Sequence, residues 1–339
     1  IERHGGPGRE TSSRNSGVVH AGLYYPPGSL KARTCVRGRD LLHRFCRAAG
    51  VACRRTGKWV VASSPDEVEA LARLQQNAAA NGVTDLRRHD GGETARREPG
   101  VRCLAALFSP ATGVVDVHGL LDALVRRAES RGALVVYGAE LVSARRRQRV
   151  YQLGLASGEV FAARAVVNCA GLSAPQVAAL PGLDTTAAGY RQHLCKGDYF
   201  RLARTLPVAS LVYPVPARDE THLGVHLTLD LGGGQRLGPD ATYVEKPDVR
   251  VDPAKAERFF ASARRFLPGL TRENLVPEMA GLRPRLQGPG EGFRDFLVQE
   301  ESARELPGWV NCLGIDSPGL TACLALADET AGRLAAAHG

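Results

Sequence analysis

The stretch Ser12-Ser13-Arg14-Asn15-Ser16-Gly17-Val18-Val19-His20-Ala21-Gly22-Leu23-Tyr24-Tyr25-Pro26-Pro27-Gly28-Ser29-Leu30 constrains this chain more than any other. Glycine and small hydroxyl residues crowd around one histidine and two tyrosines. A backbone of that kind can lie close against a flat, phosphate-bearing ligand. Upstream of it stands Glu2. In a dinucleotide-binding unit the order is strand, Gly-x-Gly-x-x-Gly turn, helix, second strand, then an acid that takes the ribose hydroxyls. Ile1-Glu2 reads as the end of that second strand, with Glu2 as the ribose carboxylate. The first strand, glycine turn and helix, roughly 30 residues, are then expected before Ile1. The single methionine, Met279, fits a chain whose first residue is not a translation start. Gly232-Gly233-Gly234 has no helical pattern behind it and does not replace the glycine turn.

A length of 339 residues allows two domains and a large core. No apolar run approaches the ~20 residues of a membrane helix. A cytoplasmic protein is expected, with a mitochondrial or membrane-peripheral location also compatible. The net charge is +9, and only Lys31, Lys58, Lys196, Lys246 and Lys255 among the basic residues are lysines. The arginines are not interleaved with aromatics, so no nucleic-acid partner is expected. A basic surface instead favours small anionic substrates. The eight cysteines form no Cys-x-x-Cys pair, and Cys169 and Cys312, in apolar runs, read as buried small hydrophobes. That favours a reducing compartment. His222 and His226 stand four apart, but Thr-His-Leu-Gly-Val-His-Leu-Thr-Leu alternates with period two. It reads as a strand, and no metal is expected.

Helical spacing runs from Leu30 to Ala49, ending at Gly50, and again from Ser64-Pro65 to about Asn81-Gly82. A third amphipathic helix spans 116–131, another about 253–266, and an alanine-rich one 320–337. Short strands are expected at 59–62, 133–137, 150–156, 159–163, 199–202, 211–215, 223–229, 296–299 and 309–313, with 85–100 as a loop. The run Arg164 to Cys169 reads as a buried parallel strand. From 178 to 304 glycine, proline and period-two strands dominate.

Four further runs carry chemistry. They are Ser109-Pro110-Ala111-Thr112-Gly113-Val114-Val115-Asp116, Asn168-Cys169-Ala170-Gly171, Cys195-Lys196-Gly197-Asp198-Tyr199-Phe200 and Gly314-Ile315-Asp316-Ser317-Pro318-Gly319-Leu320-Thr321. With residues 12–33, they resemble FAD-dependent oxidoreductases of the D-amino-acid oxidase superfamily. Within that group the chain is most similar to the L-2-hydroxyglutarate dehydrogenase/oxidase family, from Glu2 to Leu334. The resemblance implies an α/β fold with a discontinuous Rossmann-like FAD-binding domain at 1–45, 112–178 and 305–339. An inserted α+β, mainly antiparallel substrate domain takes 46–111 and 179–304. FAD is the implied cofactor. Glu2, Ser12, Ser13, Asn15, Ser16, Gly17 and His20 would hold it, together with Ala170, Gly171, Gly314, Gly319, Leu320 and Thr321.

Oxidation of a 2-hydroxy acid to the 2-oxo acid needs a carboxylate clamp, an aimed α-hydrogen and a base for the hydroxyl proton. Arg283, in Gly281-Leu282-Arg283-Pro284, is the expected clamp, because a guanidinium grips carboxylate in two-pronged fashion. The proline after it departs from the commonest form in the hydroxyglutarate group and leaves the exact substrate open. His226 or His20 is the expected base. Lys196 and Tyr199 are candidates for a distal carboxylate or the flavin. The resemblance also leaves two alternatives: an amine or amino-acid oxidase of the same superfamily, or a chain that neither binds FAD nor turns over. Oxygen or a quinone would take the electrons.

Overall fold

A computed structural model describes residues 1–216 and 224–337. His222 and Leu223, part of one expected strand, lie outside the described residues. The helices are α1 (Leu30–Ala49), α2 (Pro65–Ala80), α3 (Gly91–Arg97), α4 (Val117–Glu129), α5 (Ala174–Ala179), α6 (Ala256–Ala263) and α7 (Gly319–Ala336). The architecture is mixed α/β, as the sequence implied.

Lys58–Ala62 is buried at every position because it lies inside a nine-stranded sheet covered on both faces. Trp59 and Val61 pack with Phe200, Phe259 of α6 and Phe266 on one side. Val60 and Ala62 pack with Leu71 and Ala78 of α2 on the other. Successive side chains of a strand point to opposite faces, so a sandwiched strand is apolar throughout. Strands from 58–109 and 193–285 share this sheet, and His193–Leu202 pairs antiparallel with Leu275–Arg285 over ten residue pairs. Three smaller sheets complete the fold. Val18–Val19, Gly113–Val115 and Cys53–Arg54 form one, and Leu141–Arg147, Val150–Leu155 and Val160–Ala163 another. In the third, Val166–Asn168 runs parallel to Trp309–Asn311.

Three expected helix starts hold because each has its cap: Ser29, Ser64 and Asp116 accept from the first turns of α1, α2 and α4. Elsewhere the chain departs from expectation. Residues 85–100 are not a loop: Arg87–Asp90 pairs at the sheet edge, and Asp90 then caps α3 by accepting from Glu93 N at 2.7 Å. Their polarity reflects an edge position, not absence of structure. Residues 133–137 make no ladder, only a parallel bridge between Tyr137 and Glu2, and Leu134 is 91% exposed. The arginine-rich Leu141–Arg147 is a strand the pattern concealed, since only Ala144 of it is buried. Leu297–Glu301 pairs with Leu306–Leu313 instead of joining the nine-stranded sheet.

One helix contact positions the site. A Cβ at Gly38 of α1 would fall 2.5 Å from the Thr321 carbonyl oxygen and 2.7 Å from Ala322 Cα of α7. Only glycine admits this approach, which brings the start of α7 against the loop at Val18–His20.

Candidate active site

A cavity of about 990 Å³ lies between the loop 11–26, the start of α7 and the strands carrying Tyr199, Tyr213 and Arg283. Among its described lining residues are six cations, Arg14, Lys31, Arg73, Arg283, Arg285 and Arg294, against one acid, Asp316. Such a wall concentrates anions. No helix among the described residues is long and apolar enough to cross a membrane.

The loop is held by its own short polar side chains. Asn15 accepts from Gly17 N at 2.9 Å and donates to the Ser12 carbonyl at 2.6 Å. Thr11 donates to the Leu282 carbonyl at 2.9 Å, fastening the loop to the strand that carries Arg283. A Cβ at Gly281 would meet the Arg14 carbonyl oxygen at 2.2 Å, so that glycine permits the approach. Thr321 accepts from His20 N at 3.0 Å and donates to the Val18 carbonyl at 3.3 Å, tying α7 to the loop. The first turn of α7 has no side-chain cap. Gly319 N donates to the Asp316 carbonyl at 2.6 Å, which leaves the Leu320 and Thr321 amides and the positive end of the dipole to an electron-rich acceptor.

Of the expected cofactor residues, Ser12, Asn15, Ser16, His20, Gly319, Leu320 and Thr321 line the cavity. Glu2, Ser13, Gly17, Ala170, Gly171 and Gly314 are not among its lining residues. The Glu2 carboxylate accepts from His4 N at 2.8 Å. Gly17, at φ +64, shapes the loop, and a Cβ there would meet the Val115 carbonyl oxygen at 2.9 Å. Asn168 supports the Ala170-Gly171 turn by accepting from Ala170 N at 3.1 Å. Cys169, expected in the core, is exposed and faces the cavity, because its strand ends there.

Both histidines reach the cavity. His226 is 4% exposed, stacks on Tyr213 with centroids 3.7 Å apart, and has Nδ1 2.8 Å from the Gly224 carbonyl oxygen. A carbonyl can only accept, so Nδ1 carries the hydrogen and Nε2 is the basic nitrogen. His20 Nε2 lies 3.3 Å from Ser317 Oγ, while Nδ1 is buried without a hydrogen-bond partner. Burial, with Lys58 and His226 nearby, pulls the His20 pKa down to about 3. The ring is therefore neutral at physiological pH.

Lys58, which sequence reasoning missed, is fully buried, with Nζ 4.5 Å from the Tyr24 ring centre and 4.6 Å from that of Tyr213. Nζ has no hydrogen-bond partner, and burial lowers its pKa from 10.5 to about 7. A measurable consequence follows for stability. Below pH 7 the lysine is charged in both folded and unfolded chains, and the cost of burying that charge is fully present. Between pH 7 and 10.5 the unfolded chain holds a proton that the folded chain has released. Stability conferred by this group therefore rises with pH across that window, by up to about 1.4 kcal/mol per unit. Thermal unfolding of wild type and Lys58→Met at stepped pH checks this: the difference between them should shrink or reverse toward high pH. A difference constant from pH 6.5 to 9.5 would contradict it.

Arg283 lines the cavity, with Nε donating to the Cys195 carbonyl and Nη2 to the Lys196 carbonyl, each at 3.4 Å, and Nη2 also to the Asp240 carbonyl. Nη1 is left for a ligand. The loop carrying Asp240 is itself braced, since its carboxylate accepts from Asp198 N at 2.8 Å and pairs with Lys255 at 2.8 Å. Lys196 is not among the lining residues: it donates to Asp248 at 3.2 Å and to the Arg250 carbonyl. Tyr199 does line the cavity, and burial first, ahead of any neighbour, pushes its hydroxyl up to about 12. Sequence reasoning missed Tyr213 and gave no separate role to Tyr24, in the flavin-like loop, or to Arg285, two residues after the expected clamp; all three line the cavity.

The chemistry of this lining suits a flavin. A large cavity meets an uncapped helix N-terminus, and His20 Nδ1, Tyr24 Oη and Tyr213 Oη are buried there without partners. Comparison with known proteins agrees. The FAD-dependent oxidoreductase family model (DAO) matches residues 1–333. The mitochondrial L-2-hydroxyglutarate dehydrogenase of Arabidopsis thaliana is 37% identical over 96% of this chain and 76% of its own length. That of Escherichia coli is 33% identical over 73% of this chain, and the match spans 58% of that relative. In fold, FAD-bound L-alpha-glycerophosphate oxidase from Mycoplasma pneumoniae superimposes with a TM-score of 0.88 at 24% identity, covering 98% of this chain and 87% of that one. Glycine oxidase from Bacillus cereus gives 0.77 at 18% identity, covering 99% of this chain and 90% of its own. The chain belongs to the FAD-dependent oxidoreductase family.

Proposed function

We propose that this chain oxidises a 2-hydroxy acid of the L-2-hydroxyglutarate type to the corresponding 2-oxo acid. The observation that carries the reading is the convergence of Arg283, His226 and the first turn of α7 on one cation-lined cavity. The printed names of the most similar relatives support the substrate class. Bound FAD supplies the acceptor for the α-hydrogen, transferred as hydride. The protein's own part is to hold and deprotonate. The Nη1 edge of Arg283 grips the C1 carboxylate, and the bonds of Nε and Nη2 to three carbonyls fix the guanidinium plane. Nε2 of His226 takes the hydroxyl proton as the α-hydrogen leaves, with the ring's tautomer set by the Gly224 carbonyl. His20, kept neutral, orients the reacting groups. Ser12, Asn15, Ser16, Leu320 and Thr321 hold the cofactor from the loop and the helix N-terminus.

Anaerobic mixing of the FAD-loaded enzyme with candidate substrates, followed by flavin absorbance, tests this. L-2-hydroxyglutarate should bleach the flavin faster than glycine, sarcosine or D-alanine. Faster bleaching by any of the amines would replace the reading with an amino-acid oxidase.

A further inference from the structure

Arg283 and Arg285 stand two apart on the strand Leu275–Arg285, and both line the cavity. Side chains two apart on a strand share a face, with Cα atoms about 7 Å from each other. Two guanidiniums held side by side in this way match the two ends of a short diacid. Arg285 is set apart from Arg283 by its surroundings. Its Nε donates to Asp316 at 3.1 Å, and Nη1 has no hydrogen-bond partner although the side chain is only 11% exposed. Asp316 also receives Lys31 at 2.8 Å. Arg294, which lines the same cavity, bonds among the described residues to the Leu286 and Gly189 carbonyls, each at 3.1 Å. This end of the cavity thus has three cations against one carboxylate. Asp295 and Glu291, on the segment that follows the strand, are committed elsewhere: Asp295 accepts from Leu30 N and Lys31 N at the start of α1, and Glu291 from Gly288 N. Among the described residues, no other acid lines that end to match the excess of positive charge.

We propose that Arg285 binds the distal carboxylate of the substrate and so makes the enzyme selective for dicarboxylic over monocarboxylic 2-hydroxy acids. The inference rests on the 2-hydroxy-acid reading above. Asp316, itself anchored by Lys31, holds the Arg285 guanidinium in place, and the spacing to Arg283 selects the length of the diacid. Lys196, facing Asp248, takes no part in this subsite.

The FAD-loaded enzyme, its Arg285→Gln variant and its Arg285→Lys variant would be compared on L-2-hydroxyglutarate and L-2-hydroxybutyrate. The readout is the ratio of the two kcat/KM values, which does not depend on the fraction of enzyme folded or loaded. Losing a charge-assisted contact to one carboxylate should lower the ratio by about ten- to a hundredfold in Arg285→Gln, chiefly through KM for the diacid. Arg285→Lys should keep part of the preference, since the charge survives without the fork. Glutarate and butyrate, as unreactive probes, should show the same loss in their competition constants. The flavin's electron-rich oxygens are the other acceptor within this chemistry. An unchanged ratio with a shifted flavin spectrum or reduction potential would put Arg285 on the cofactor and overturn the proposal. So would an unchanged ratio alone, or a wild type with no preference for the diacid. If wild type oxidises neither hydroxy acid but oxidises amines, it is the functional reading that fails.

Discussion

Replacing His226 by alanine should slow flavin reduction by about 10²–10⁴-fold, the usual contribution of a general base, while the enzyme still binds its flavin. The expectation comes from three features of the ring. It is buried just ahead of Leu227–Leu229, the part of the expected strand 223–229 that joins the nine-stranded sheet, its tautomer is assigned by the Gly224 carbonyl at 2.8 Å, and Tyr213 fixes its plane by stacking. His20 shares the burial, at Nδ1, but among the described residues its ring has neither the carbonyl partner nor the stacked ring. Its backbone is tied to Thr321 and its Nε2 faces Ser317 at the start of α7, so His20→Ala should alter the flavin spectrum or affinity first. A ring whose pKa has been driven to about 3 is also a weak proton acceptor. Single-turnover reduction at several pH values separates the two histidines. If His226→Ala reduces flavin at the normal rate and retains the acidic limb of the profile, the base is elsewhere, and His20 becomes the candidate.

Truncating Arg283 comes next in expected effect. Loss of its bond to the substrate carboxylate should cost about 1.5–3 kcal/mol, a ten- to hundredfold fall in kcat/KM if felt fully in the transition state. Arg283→Lys should recover only part, since an ammonium cannot donate to the substrate carboxylate and also keep the simultaneous bonds to the Cys195, Lys196 and Asp240 carbonyls, which leave Nη1 alone for the ligand in place of the expected two-pronged grip. A Cβ at Gly197 would lie 2.7 Å from Arg283 Nη2, so the guanidinium is confined by packing as well as by hydrogen bonds. Wild-type kcat/KM in an FAD-loaded Arg283→Ala enzyme would refute the clamp.

Local signals carried well wherever a single residue decides a boundary. Ser64 before Pro65 starts α2 where the cap and the fixed φ of proline dictate, and Gly50 ends α1 in the left-handed region at φ +69. The period-two alternation and the motif loops were legible for the same reason: each rests on residues adjacent in the chain. Polar edge elements were not. Arg87–Asp90 and Leu141–Arg147 are strands only because a neighbouring strand completes their hydrogen bonds, and their solvent-facing arginines hide the pattern. The reverse error occurred at 133–137, where an apolar run finds no partner beyond one bridge.

The candidate site divides along the same line. By sequence alone, residues 12–33 and 314–321 determined the family, and Arg283, His20 and His226 stood out by residue type and local context. Tertiary structure alone decided which of these share a cavity, since α1 and α7 must first touch at Gly38 and the loop must cross Gly281. It also decided that Lys196 is spent on Asp248 and the Arg250 carbonyl, and that Lys58 is enclosed by Tyr24 and Tyr213. Finally, it brought Asp316 and Lys31 beside Arg285. Charge and reach are written in a residue's identity, but burial and the neighbours that compete for each donor arise only when distant strands and helices close around it.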